Sequence, residues 1–219
     1  MPDETSIINS ALDWLGQGNI QSITQSTGSA PKARRAYYRV RDSELQKQRW
    51  IFSKCQVNLT SITNTFGRYS YAYLFPNDSL KIHWLGAPTS NFPDIAYSPI
   101  SMTSLRFWAS NTLTNHEIIN ITDANNVPTG QRALLCNVPN AFLVYTKKIE
   151  DTGLFPPTFV DVLELEIAFR LSSLLLNDPL TIKKVQEKLG QARADAQMAD
   201  ANEDTDWNDT ESPLEQSRY

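Results

Sequence analysis

The motifs Arg49-Trp50-Ile51-Phe52 and Tyr71-Ala72-Tyr73-Leu74-Phe75-Pro76-Asn77-Asp78-Ser79-Leu80 mark the two ends of residues 49–80. A long helical pattern of apolar residues stops at the first motif, and strand-like alternation follows it. Pro76 cannot donate to a β-ladder and Asn77-Asp78 favours a turn, so the second motif predicts strand, tight turn, strand. Aromatic side chains at both ends place a large apolar surface where the secondary structure changes. Residues 49–80 are therefore predicted to join a helical layer to a β layer.

Two helices are predicted before this stretch. Apolar residues recur at helical spacing over residues 5–15, and glycines then stop the pattern. A second helical pattern covers residues 32–50, after Pro31 at a first-turn position. Its basic side chains are Lys32, Arg34, Arg35, Arg39, Arg41, Lys47 and Arg49. Such a helix can bind nucleic acid, lie in solvent or contact a neighbouring subunit, and the net charge of −4 favours the last two.

Residues 55–148 have the pattern of β-strands. Short stretches alternate with period two or are rich in β-branched and aromatic residues. Five strand segments are predicted, at 56–62, 80–84, 118–121, 133–136 and 142–145. Between them, residues 86–104 contain three prolines, and structureless loops of more than ~15 residues are uncommon in a compact domain unless they have a function. This loop is predicted to be an arm that contacts a neighbouring molecule.

Helical patterns return after Gly153. Pro156-Pro157 opens a segment that is apolar on almost every side and is predicted to be buried on most sides. Asp178-Pro179 then starts another helix, in which an apolar seam with spacings of four and three predicts a closely packed partner. The seam residues are Val185, Leu189, Ala192, Ala196 and Ala199.

The predicted fold class is α+β with three parts. Residues 1–54 and 154–201 form a helical bundle, and residues 55–153 form an antiparallel β domain inserted into it. Residues 202–219 form an extended acidic tail that is too polar to fold alone. A partner is predicted to hold this tail, through Trp207, Leu214 and Tyr219.

Composition and the first residues point away from a membrane. Apolar residues make up 41% of the chain and charged residues 20%, as in a globular protein with a sizeable core. Met1-Pro2-Asp3-Glu4 lacks the basic start of a signal peptide, and no apolar run reaches the roughly 20 residues that span a bilayer. The prediction is a cytosolic protein without a membrane anchor, in which Cys55 and Cys136 are buried thiols.

Glycines and histidines predict no catalytic or metal site. Gly16-Gln17-Gly18 follows a helix rather than a strand and lacks the lysine of a phosphate-binding loop. His83 alternates with apolar neighbours and is predicted to face outward. His116-Glu117 lacks the remaining residues of a zinc signature. No metal and no cofactor are therefore expected.

The carboxylates form no predicted catalytic pair. Glu164 and Glu166 are two residues apart on a helix and point to different faces, and Asp78 is typical of a turn. The prediction is a protein without enzymatic activity. The alternative of a carbohydrate-active enzyme requires two carboxylates about 5 to 9.5 Å apart in the β part. The main acids there are Asp78, Asp94, Glu117 and Asp123.

The two motifs of residues 49–80 resemble signatures of the tail tubular protein A family, the head-to-tail adaptors of short-tailed phages (podoviruses). Trp50-Ile51-Phe52 after a basic helix is similar to an aromatic motif of the family, and Tyr71 to Leu80 is similar to its Y-x-Y-x-L-P-x-D-C-L motif. Phe75 and Ser79 stand where the family has leucine and cysteine. The matching residues are structural rather than catalytic, and they are Trp50, Phe52, Tyr71, Tyr73, Pro76, Asp78 and Leu80.

The resemblance implies a structural virion protein of the phage tail, assembled in the host cytoplasm. Family members form rings of roughly twelve copies with cyclic symmetry. The helical part faces the portal protein, the β part faces the nozzle protein (tail tubular protein B), and tail fibres attach near that junction. The ring is part of the DNA ejection channel. Proteins bind DNA phosphates through Lys and Arg, so a channel with a predominantly acidic surface would let DNA pass without binding it.

Contacts are also predicted for particular residues, although the family has no match to the tail beyond Asn202. Portal contacts are predicted for the seam residues Val185, Leu189, Ala192 and Ala196 and for the tail residues Trp207, Leu214 and Tyr219. Arg34, Arg35 and Arg39 of the basic helix are predicted to contact the neighbouring subunit, so that DNA passes without sequence-specific binding. The alternative is a DNA-binding module that uses the basic helix, residues 32–49.

Overall fold

A computed structural model describes residues 2–87, 115–123, 127–175 and 178–203 of the 219-residue chain. Over these residues the protein is α+β, with four α-helices and two antiparallel sheets. Helices α1 (Glu4–Asp13) and α2 (Ala30–Lys47) precede the strands, and α3 (Pro157–Leu175) and α4 (Pro179–Glu203) follow them. No helix in the described ranges is long and apolar enough to cross a membrane.

Helix α1 has a defined cap at each end. The Asp3 side chain accepts a backbone hydrogen bond of 2.8 Å at its start. At its end, the N–H groups of Gly16 and Gln17 donate to the carbonyl oxygens of Asp13 and Leu12, and Gly16 adopts a φ of +62°. This is the Schellman arrangement, in which the left-handed position favours glycine. α1 therefore ends slightly earlier than the apolar pattern predicts.

Helix α2 ends at Lys47, and the prediction that it continues to Trp50 is wrong. Gln48 is already extended, with φ −109° and ψ 161°. The Trp50 indole N–H donates to the Glu44 carbonyl oxygen at 3.0 Å, and its ring packs edge-on against Phe159 of α3, with centroids 4.9 Å apart. Trp50 therefore caps the end of α2 and joins it to α3.

Four of the five predicted strand segments, all but 56–62, lie within single strands. The described strands are β1 (Lys54–Asn58), β2 (Ser61–Ile62), β3 (Tyr71–Phe75), β4 (Ser79–Gly86), β5 (His116–Thr122), β6 (Pro128–Cys136) and β7 (Phe142–Lys147). They form a three-stranded sheet of order β1-β7-β4 and a four-stranded sheet of order β2-β3-β6-β5. The predicted strand at 56–62 is thus two strands that belong to different sheets.

The turn at Pro76-Asn77-Asp78 connects the two sheets. The Ser79 N–H donates to the Pro76 carbonyl oxygen at 3.2 Å, as in the predicted tight turn. However, β3 pairs with β6, whereas β4 pairs with β7, so this turn does not close a hairpin. The sheets share one apolar cluster, which includes Tyr73, Phe75 and Leu134 of one sheet and Leu85, Leu143 and Tyr145 of the other.

The helices share a second apolar cluster. As predicted, α3 is buried on most sides. Its buried apolar side chains are Phe159, Val160, Val162, Leu163, Leu165, Ile167, Ala168 and Leu171. Trp50 belongs to this cluster, and Phe52 and Leu80 pack against it. Residues 49–80 therefore contribute side chains to both clusters, as expected for a connection between a helical layer and a β layer.

The seam of α4 packs inside the chain. Val185 and Ala196 are fully buried, Leu189 is almost fully buried, and Ala192 is half-buried against the same helical cluster. α4 packs along α3, which is the close partner that the small seam residues admit. The predicted portal contacts of Val185, Leu189 and Ala196 are therefore corrected, because these buried side chains are not accessible to a second molecule. The predicted contact of the half-buried Ala192 stays a prediction.

Candidate functional site

A groove of about 530 Å³ lies between α2, the end of α3 and the start of α4. Its cationic side chains are Lys32, Arg35, Arg39 and Arg170. Its apolar surface comes from Ala36, Phe169, Leu174 and Ile182. No carboxylate is among the described residues that line this basic groove. The charge favours an anionic ligand, and the apolar surface favours one that also carries an apolar group.

Helix geometry explains why the α2 cations of the groove lie together. Lys32, Arg35 and Arg39 are three and four residues apart and so share one face of the helix. A different face carries Ala33, Tyr37 and Val40, which are fully buried in the helical core. Of the three predicted subunit-contact residues, Arg35 and Arg39 line the groove, whereas Arg34 is half-buried outside it.

The basic residues nearer the end of α2 have a different role. Arg41 is only 2% exposed, and its guanidinium lies 5.4 Å from the ring centre of Tyr38 and donates to Asp42 at 2.9 Å. A buried guanidinium is costly unless it is paired in this way. Helix α2 therefore does not present a continuous basic face over residues 32–49.

A buried ion-pair cluster lies beside the groove and connects α2, α3 and α4. Glu44 is fully buried and Glu166 is 6% exposed. The Arg193 guanidinium of α4 bridges them, 2.9 Å from Glu44 Oε1 and 3.2 Å from Glu166 Oε2. Lys47 Nζ lies 2.6 Å from Glu44 Oε1, and Arg170 Nε lies 3.1 Å from Glu166 Oε1.

The cluster positions one cation of the groove. Because Glu166 accepts a hydrogen bond from Arg170, the Arg170 side chain is held where it lines the groove. Both buried carboxylates already have cationic partners, which is the arrangement that buried charges need. The cluster therefore fits a structural role, with the groove as the surface open to a ligand.

An acidic cleft of about 250 Å³ lies on another surface of α3 and α4. Its charged residues are Asp161, Glu164, Lys188 and Asp195, and Trp14 forms part of its wall. Burial, helped by the nearby Asp161 charge, raises the pKa of Glu164 to about 7, against the effect of a hydrogen bond from Ser10. As predicted, Glu164 and Glu166 face different surroundings. No group of three or more metal-ligating side chains occurs in the part of the chain that the structure describes.

The prediction that His83 faces outward is wrong. A β-bulge interrupts the pairing of β4 with β7 between Ile82 and Trp84, so simple alternation does not hold there. The His83 ring is half-buried, and its Nε2 lies 2.7 Å from the hydroxyl of the buried Thr146. Burial, and then the nearby Arg49, lowers the pKa of His83 to about 4, so the ring is neutral at physiological pH.

The acids of the β part are engaged in local contacts. Asp78 accepts a hydrogen bond of 3.1 Å from the Tyr145 hydroxyl and lies 3.6 Å from Lys147 Nζ. Glu117 lies 3.2 Å from an Arg68 nitrogen. Asp123 accepts a hydrogen bond of 2.9 Å from the backbone N–H of Val127. Asp94 lies outside the described residues. These contacts are those of turns and surface ion pairs, so they give no support to a pair of glycosidase carboxylates.

The residues of the two motifs are core and turn residues. Trp50 and Tyr73 are each 2% exposed, and Phe52, Pro76 and Leu80 are half-buried. Tyr71 is exposed at the start of β3. Both thiols are free, with Cys136 buried and Cys55 half-buried.

Two sets of predicted contacts lie outside the described residues. They are the loop beyond residue 87 and the tail residues Trp207, Leu214 and Tyr219. In contrast, the sequence did not indicate Phe169, Arg170, Leu174 or Ile182 as groove residues. The spacing of Lys32, Arg35 and Arg39 was the available signal, but it shows one face of a helix and not the elements that pack beside it.

No family model matches the chain, and no curated protein is significantly similar to it.

Proposed function

We propose that this protein is a structural subunit of the tail of a short-tailed phage, a head-to-tail adaptor that assembles as a ring between the portal and the tail nozzle. The observation that carries the proposal is the position of residues 49–80, the stretch with the family-like motifs. Trp50 and Leu80 pack with the helices, and Tyr73 and Phe75 pack with the sheets. A protein that joins two different rings needs two chemically different ends, and this stretch connects them.

The proposal includes a finer description of the fold. Residues 1–54 and 154–201 form a helical bundle that faces the portal, and residues 55–153 form an inserted β domain that faces the nozzle. The separation of the helical cluster from the sheet cluster supports this division. Residues 202 and 203 of the predicted tail are the last residues of α4, and residues 204–219 lie outside the described residues.

The basic groove supports a contact between neighbouring subunits. In a ring, each subunit uses two different surfaces, one for each neighbour, so a surface rich in one charge is suited to a complementary surface on the next copy. Arg35 and Arg39, two of the residues expected at that contact, line the groove.

A DNA-binding module is the second candidate, and the observation in its favour is the same set of four groove cations. Nucleic-acid binding would use them as phosphate contacts, and the affinity would fall steeply with salt. The apolar surface among the cations contributes nothing to phosphate binding, which makes a protein ligand the better fit.

Electron microscopy of the purified full chain mixed with portal rings of its own phage tests the proposal. The expected result is an added layer on the portal with roughly twelve-fold symmetry. Portal rings that remain bare under conditions in which the chain is folded would contradict the adaptor function. A tight and salt-sensitive complex with duplex DNA, in the absence of any layer on the portal, would favour the second candidate.

A further inference from the structure

The basic groove has the chemistry of a site for an acidic peptide with an aromatic residue. The described residues that line it include four cations and no carboxylate, and one of these cations, Arg170, is paired with Glu166 of the neighbouring ion-pair cluster. The side chains of Phe169, Leu174 and Ile182 give the groove an apolar surface. Leu174 is 62% exposed, so this apolar surface is open. A simple anion would leave it uncovered, whereas a peptide with acidic and apolar side chains would cover both parts.

The last residues of the same chain have the complementary composition. Residues 204–219 contain the acids Asp204, Asp206, Asp209, Glu211 and Glu215 and a single base, Arg218. Within them, Asp206-Trp207-Asn208-Asp209 places an indole between two carboxylates. We propose that the basic groove binds this acidic tail of a neighbouring copy, with Trp207 on the apolar surface and the flanking aspartates beside the arginines.

The lengths of the elements favour a neighbouring copy over the same chain. Ile182 lies 21 residues before Glu203 in α4, which is about 32 Å along a helix. Trp207 follows Glu203 by only four residues, which reach about 14 Å at most. The end of α4 is also near a different region, since Asp200 accepts a hydrogen bond from the Ile51 N–H at 3.1 Å. Trp207 therefore cannot reach the apolar surface of its own groove.

This arrangement would link copies in one direction. The tail of each copy would enter the groove of the next, so the two surfaces of the contact are different and the copies form a closed ring or an open chain. The inference deepens the proposed function and rests on it, because it names the contact between neighbouring subunits. It assigns the tail to the next subunit in place of the portal.

Sedimentation velocity of full-length chains, mixed in pairs, tests the direction of the contact. One variant, Arg35→Gln/Arg39→Gln, has a weakened groove and an intact tail. The other, Asp206→Asn/Asp209→Asn, has an intact groove and a weakened tail. Lys183→Gln/Lys184→Gln is the matched control, because these lysines are exposed on α4 and do not line the groove.

The wild-type and control chains are expected to associate beyond the dimer as the concentration rises. Each weakened variant alone should associate about tenfold more weakly, since two exposed charge pairs are lost. A mixture of the two variants should form one-to-one pairs and stop there, because it contains only one intact tail for one intact groove. Added salt should dissociate these pairs.

Four outcomes would overturn the proposed tail contact. The first is undiminished association of the groove variant, and the second is a mixture that forms no more pairs than its components. The third is a groove variant that keeps full self-association but loses DNA binding, which would make the groove a nucleic-acid site. The fourth is a groove variant that still adds a normal layer to portal rings, which would reject the tail contact and leave the adaptor function standing. Bare portals with the wild-type and control chains would reject the adaptor function itself.

Discussion

At the scale of single residues, the surroundings of Glu164 change the pKa of its carboxyl group and so make the stability of the fold depend on pH. It is half-buried in the acidic cleft, and burial raises its pKa from 4.5 to about 7. Because the folded protein then binds this proton more tightly than the unfolded chain does, the free energy of unfolding falls as the pH rises from about 4.5 to about 7. Above that range the Glu164 carboxylate is charged while it is half-buried, and its incomplete solvation lowers the free energy of unfolding.

Replacing Glu164 with glutamine should remove this pH-dependent loss, since glutamine has the shape of the protonated acid without its charge. At pH 8 the Glu164→Gln variant is expected to be more stable than wild type by on the order of 1 kcal/mol, a value reduced to allow for solvent screening. At pH 4 the two proteins should be equally stable. Urea unfolding at both pH values measures this difference, and a destabilised variant at pH 8 would contradict it.

At the scale of elements, the ion-pair cluster determines how α2, α3 and α4 meet. Arg193 of α4 contacts a carboxylate of α2 and a carboxylate of α3 at the same time. Apolar packing alone would allow the three helices to shift along one another. The hydrogen bonds of the cluster have specific partners and directions, so they favour one relative position of the helices. The cost of burying Glu44 is offset only while its cations are present.

Removing the Glu44 side chain should therefore destabilise the protein substantially. Glu44→Ala leaves Arg193 and Lys47 without their closest anion and opens a cavity, so the free energy of unfolding should fall by about 2 to 4 kcal/mol. The control is Glu187→Ala on the exposed surface of α4, where loss of the ion pair with Lys183 should cost less than about 0.5 kcal/mol. Equal effects of the two substitutions in urea unfolding would show that the cluster does not hold the helices together.

At the scale of the whole molecule, the described core and the acidic tail occupy different parts of the sequence. Among the described residues, all side chains of the apolar clusters come from positions at or before Ala196. The tail begins beyond them and carries mostly acidic residues. Folding and assembly are therefore expected to depend on different parts of the chain.

Deletion of residues 204–219 should leave the far-UV circular dichroism and the thermal midpoint of the chain nearly unchanged, because all the described core residues are retained. The same deletion should abolish both self-association and the layer on portal rings, since it removes the segment proposed to enter the neighbouring groove. Circular dichroism of the truncated chain checks that it is folded, and electron microscopy of the same preparation checks that it forms no layer on portal rings. A truncated chain that still forms rings would show that the tail is not the linking segment.

The residues of the candidate site show where sequence-based prediction stops. The basic character of α2 and the shared face of Lys32, Arg35 and Arg39 follow from the order of the residues. The groove also requires Arg170 and Phe169 of α3 and Ile182 of α4, which are distant in sequence. The sequence pattern of α2 describes one face of that helix. Only the packing of the helices shows which residues of α3 and α4 lie beside this face.

The same division applies to the fold. The sequence by itself determined the positions of the helices and strands and the burial of α3, because periodicity, caps and turn residues act over a few neighbouring positions. Only the tertiary structure decided that β3 and β4 belong to different sheets and that Arg193 meets Glu44, 149 residues away. It also decided that the α4 seam is used inside the chain. The physical reason is that the sequence pattern of one surface is compatible with several partner surfaces. Which of them it contacts depends on the packing of the whole chain, including residues that are distant in sequence.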